Sequence, residues 1–132
     1  MKPIRQLSVS LGLAAVTAVA GTAVALPAMA SGGGTEVIAR GTCTQGGAWK
    51  LKAKPDNGRL EVEFEVDTNR VGQVWSVALR DDGVLVFSGS RTTLAPSGSF
   101  EVRRLITNRT GPDVITGRAV RGTNVCSGKV TI

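Results

Sequence analysis

From Leu60 to Asp67 every second residue is an acid: Glu61, Glu63, Glu65 and Asp67 alternate with Leu60, Val62, Phe64 and Val66. Four carboxylates in a row are the densest set of groups in this chain able to grip a cation or to share acid–base work across a glycosidic bond. Their spacing argues against both. On a strand, residues i and i+2 stand about 6.5–7 Å apart. Calcium–oxygen distances are about 2.3–2.6 Å, so one cation needs ligands from a second strand. Glycoside chemistry needs two carboxyls in unlike surroundings across a cleft, and nothing in the sequence separates their pKa values. The preceding Lys50, Lys52 and Lys54 alternate with Leu51 and Ala53. They supply the opposite charge, so the row reads as the solvated face of a charged hairpin.

Other chemistry is scarcer still. The chain has no histidine and no tyrosine, which removes the commonest general base and metal ligand. Its two cysteines, Cys43 and Cys126, are an even set in a chain that carries an export signal, and so predict one disulfide. The rival reading, a redox or metal pair, lacks both a CxxC spacing and a histidine. "DTNRVG" offers Asp67 and Asn69 as a weak calcium pattern, and no glycine-rich loop opens a helix to cradle phosphate. Trp49 runs in phase with Leu51 and Ala53, and Trp75 with Val77 and Leu79. Both therefore belong to the core, which leaves no aromatic platform for a sugar ring. We expect no catalytic residue, no metal ligand and no cofactor. Arg103, Arg104, Arg109, Arg118 and Arg121 crowd the last third of the chain. If the strands near 100–106 and 113–121 share a sheet, these arginines form a basic binding patch for an acidic partner. Otherwise they decorate ordinary solvated faces.

The elements that must hold these groups follow from charge and periodicity. Lys2 and Arg5, an apolar run from about Leu7 to Leu26, and "PAMA" with Ala28 and Ala30 form an export signal, with cleavage expected after Ala30. An uncleaved membrane anchor is the alternative, because the run is long enough to span a bilayer. The whole chain carries a formal charge of +6; without Lys2 and Arg5 the remainder is only mildly basic. That balance, in an exported chain, argues against a nucleic-acid partner. It leaves a protein or an acidic or polysaccharide component of the cell envelope, with membrane contact only through the signal before cleavage. Residues 31–35 form a flexible leader, and 36–132 form one domain.

Within that domain the alternation has period two throughout. Eight strands are expected, over about Glu36–Thr44, Ala48–Lys54, Arg59–Asp67, Gln73–Arg80, Val84–Thr92, Ser99–Ile106, Asp113–Arg121 and Val125–Ile132. Turn residues such as "PDNG", "DDG" and "LAPSG" separate them. This predicts an all-β, immunoglobulin-like antiparallel sandwich, with a closed barrel as the alternative. A four-residue loop Pro55–Gly58 sets Lys52 against Glu61, Lys50 against Glu63 and Trp49 against Phe64. A three-residue loop Asp81–Gly83 sets Leu79 against Leu85 and Val77 against Phe87.

"WKLKAKPDNGRLEVEFEVDTNRVGQVW" and "SRTTLAPSGSFEVRRL" resemble small, uncharacterised exported proteins of actinomycetes. The resemblance implies export and a compact β domain, and carries over no functional residue. "LAPSGSF" is also similar to a turn in sandwich-type cellulose-binding modules, which join their first and last strands by a disulfide. "VRR" (Val102 to Arg104) is similar to the enediyne apoproteins, which have two disulfides where this chain can form one. The functional expectation is a secreted, non-enzymatic immunoglobulin-like domain that binds at or outside the envelope. A carbohydrate-binding module and a small secreted hydrolase inhibitor, presenting "LAPSG" or "NRTGP", are the alternatives.

Overall fold

A computed structural model describes residues 34–132. The expected export signal, its expected cleavage position and the start of the expected leader lie outside the described residues. Eight strands follow in order: β1 Val37–Thr42, β2 Ala48–Asp56, β3 Arg59–Asp67, β4 Val74–Asp81, β5 Val84–Thr92, β6 Ser99–Thr107, β7 Val114–Arg121 and β8 Asn124–Thr131. They form two four-stranded antiparallel sheets, ordered β1-β2-β3-β6 and β5-β4-β7-β8. The architecture is all-β and sandwich-like.

The alternation decides which side of each strand is dry. Leu51, Ala53, Leu60, Val62, Phe64, Val66, Val102 and Ile106 from the first sheet meet Trp75, Val77, Leu79, Ile115, Ala119 and Val130 from the second in one buried core. The Phe64 ring packs close to β7 where that strand has no side chain: a Cβ on Gly117 would stand 3.0 Å from it. Trp75 is fully buried, as its phase predicts. Trp49 is only half-buried, packed against the core margin. Its indole fits between backbone of Gly41 on β1 and Gly128 on β8, where a Cβ at either glycine would collide with the ring.

Both hairpins are tighter than expected. Asp56 pairs with Arg59, so the first turn is the two residues Asn57 and Gly58. Both have positive φ, 48° and 79°, the requirement of a type I′ turn, whose twist matches that of the strands. Pro55 and Asp56 consequently extend β2. Pro55 is tolerated there because the β1 ladder on its other side begins at Val37 opposite Ala53, so the missing N–H leaves no partner unsatisfied. The register moves by two residues: Lys52 faces Glu63, Lys50 faces Glu65 and Lys54 faces Glu61. A shift of two preserves the faces, so the pattern of buried and wet residues stands. The β4–β5 turn is likewise Asp82-Gly83, closed by Asp81 and Val84. A bulge at Leu79/Arg80 then sets Leu79 against Phe87 and Val77 against Gly89, in place of the partners expected from a three-residue loop.

One disulfide, Cys43–Cys126, joins the residue just past β1 to β8, and neither cysteine is free. It ties the first sheet to the second at one end of the molecule. Such a bond is consistent with an extracellular protein.

Candidate functional site

Three of the four acids in the row, Glu61, Glu63 and Glu65, are neutralised in place. On the outer face of the first sheet, Lys52 Nζ lies 2.7 Å from Glu63 and 3.7 Å from Glu36, and Lys54 lies 3.7 Å from Glu61. Arg103, which β6 presents opposite Glu63, donates to Glu63 and also reaches Glu101 at 3.2 Å. Glu63 is 4% exposed. Burial opposes its ionisation, but the hydrogen bond and charge of Lys52 and the charge of Arg103 prevail and hold its carboxyl below the usual range. The same hydrogen bond pushes the Lys52 ammonium up. Glu65 reaches Lys50 at 3.9 Å. Asp67 accepts the Asn69 N–H at 3.0 Å, and Asn69 takes a φ of 57°. This is the geometry of an Asx turn, so "DTNRVG" shapes a bend with these two residues.

The five arginines do not form one patch. β6 and β7 lie in different sheets, so the arrangement that would gather them is absent. Arg103 belongs to the ion-pair network just described. Arg104 stacks its guanidinium 4.4 Å from the centroid of Phe87, which also takes Arg91 at 4.9 Å, a cation–π pair bridging the open edge between β5 and β6. Arg109 stands 3.7 Å from Asp81. Arg118 lies on the outer face of the second sheet beside Ser76 and Ser90. Arg121 alone reaches the end of the molecule where loops converge.

That end holds a polar cleft of about 440 Å³, lined by the β1–β2 loop (Gln45–Gly47), the β3–β4 loop (Thr68, Arg70, Gln73) and the β7–β8 turn (Arg121–Asn124). Among the described residues, no carboxylate lines it. Neither Arg70 nor Arg121 enters an ion pair among the described residues. The loops are fastened to one another. The Gln45 N–H donates to Asn124 Oδ1 at 2.9 Å, Gln45 Nε2 to Thr123 at 2.7 Å, and Asn124 Nδ2 to the Gly46 carbonyl at 3.1 Å. The Cys43 N–H closes onto the Gly47 carbonyl at 2.9 Å, with the disulfide beneath. Buried Thr93 donates to the Arg70 carbonyl and accepts from the Gln73 N–H, both within hydrogen-bond distance. Two cations and several amide and hydroxyl groups therefore face outward from a fixed frame. Sequence reading found Arg121 but missed Arg70, because only the fold brings these loops together. The turn composition was the one available signal.

A search of protein-family models, curated proteins and solved structures returned no match to this chain.

Proposed function

We propose that this chain is an exported, non-enzymatic binding module of immunoglobulin-like type, and that its loop cleft takes an anionic envelope component such as an acidic polysaccharide. The cleft carries the reading: among the described residues, Arg70 and Arg121 have no ion-pair partner and share a fixed concave surface that no carboxylate lines. Guanidinium groups suit carboxylate or phosphate oxygens, and amides and hydroxyls suit a sugar's hydroxyls. Preorganised loops lower the ordering cost of binding. The non-enzymatic part rests on composition, with no histidine, no tyrosine and both cysteines in the disulfide. Greek-key connections, from β3 to β4, β5 to β6 and β6 to β7, pass between the sheets and support the immunoglobulin-like assignment.

The test is retention on insoluble polymers. The purified protein is expected to bind acidic wall polysaccharide and to elute with added salt, while neutral cellulose retains none. A double variant, Arg70→Glu with Arg121→Glu, should lose at least ten-fold in retention. Equal retention on cellulose, or an unchanged double variant, overturns the reading. One observation favours a hydrolase inhibitor as second reading: Leu94 is 62% exposed on a loop braced by its own backbone, with the Gly98 N–H donating to the Leu94 carbonyl at 2.8 Å. Inhibition of a secreted protease that disappears in Leu94→Asp would establish it in place of the first.

A further inference from the structure

We infer that the pole opposite the cleft is a calcium site built by Asp81, Asp82 and Asp113. The three come from separate places: the last residue of β4, the first residue of the β4–β5 turn, and the residue before β7. Each offers a carboxylate oxygen, and these oxygens lie within 4.8 Å of one another. Among the described residues no other group of three or more potential ligands converges in this way. Asp81 and Asp113 are each 1% exposed, and Oδ1 of each has no hydrogen-bond partner. A buried carboxylate oxygen without a donor is costly, and two side by side repel as well. Burial, then the charges of Asp113 and Asp82, push the Asp81 carboxyl up, against the pull of Arg109.

The compensation inside the chain is thin. Among the described residues, Arg109 is the one cation paired with the group, 3.7 Å from Asp81 through a side chain 45% exposed. The nearby Arg80 guanidinium is turned to the Gly83 carbonyl at 3.3 Å. Three acids against one exposed guanidinium leave room for two positive charges. Carboxylate oxygens within 4.8 Å of one another can share one hard cation. Calcium suits a cage of protein oxygens, whereas magnesium dehydrates reluctantly and usually keeps several waters. A ligand set of oxygen alone, without histidine or thiolate, favours a hard cation over the softer metals.

Local backbone holds the third ligand. Asp82 takes a φ of 48° in the type I′ turn. Its N–H donates to the Val114 carbonyl at 2.9 Å, and one carboxylate oxygen accepts the Val114 N–H at 2.9 Å. This clips the β4–β5 turn to the start of β7 and leaves the other oxygen available to a cation.

The experiment is calcium titration of the purified protein, stripped with EDTA, followed by calorimetry and by thermal melts with and without calcium. A saturable one-to-one isotherm and a higher Tm in calcium are expected, with magnesium at least ten-fold weaker. Asp113→Asn should melt in EDTA at or above the wild-type temperature, because one crowded charge is gone, and should lose the calcium shift. Asp82→Asn, changed at an exposed position, provides a second reading of the same loss. Glu101→Gln, on the outer face of the first sheet, should respond as wild type. No isotherm and no melting shift at neutral pH would overturn the site in favour of a proton shared by Asp81 and Asp113. A shift that survives in both aspartate variants, or equal binding of magnesium, would overturn it in favour of diffuse screening. None of these variants touches the cleft, so polysaccharide retention reports on the other pole independently.

Discussion

At the scale of single residues, the charged face of the first sheet was legible because lysines and acids alternate in phase on neighbouring strands. The buried character of Glu63 was not, since it depends on Arg103 arriving from β6. Glu63→Gln is expected to cost about 1–2 kcal/mol at neutral pH, by leaving Lys52 and Arg103 without their shared anion. The folded Glu63 carboxyl titrates below its ordinary value. Its contribution is therefore complete above the unfolded value, about pH 4.3, and is lost as pH falls through the lower folded value. The gap between wild type and variant should close below about pH 4, as read by urea unfolding across pH; a constant gap would show that charge is not its origin. The three aspartates of the far pole escaped sequence reading for a similar reason. Asp81 and Asp82 looked like turn residues, and Asp113 joins them only once β7 pairs with β4. Close packing adds a prediction of its own. Gly128→Ala should cost about 1–3 kcal/mol, because the Trp49 ring that would have to yield is already bounded by Gly41; loss of midpoint in chemical unfolding measures it.

At the scale of elements, period-two alternation located all eight strands, with boundaries close to those observed. The turns were harder, because an alternating pattern is unchanged by a register shift of two residues. What settles the first hairpin is backbone geometry: Asn57 and Gly58 can both take positive φ at low cost, whereas Pro55 and Asp56 sit comfortably in β2. Asn57→Ala is expected to destabilise by about 1 kcal/mol and Gly58→Ala by a similar amount. The denaturant midpoint should fall while the slope stays constant. A four-residue loop would have tolerated both changes. The bulge at Leu79/Arg80 had no sequence signal, since neither residue is glycine and the strand remains apolar on schedule.

For the whole molecule, the all-β layering and the Cys43–Cys126 pairing followed from composition and turn spacing, but the membership of each sheet did not. Alternation shows which side of a strand is dry and is blind to its neighbour, so the separation of β6 from β7, and with it the scattering of the arginines, emerged only from the fold. Replacing both cysteines by serine should remove roughly 4–5 kcal/mol on the chain-entropy account, comparable with the entire stability of a domain this size. Calorimetry of the double variant should show a melting temperature lowered by more than ten degrees or no cooperative transition. The position of the bond also governs how the domain answers a pull. The bond joins residues 83 apart in sequence, so tension applied through Gly34 and Ile132 bypasses everything between the two cysteines. Once the flanking segments peel away, they can span at most about 50–60 Å end to end, against more than 300 Å for the fully extended reduced chain at about 3.3–3.6 Å per residue. Stretched between a surface and a load, the oxidised protein is a short, nearly inextensible link.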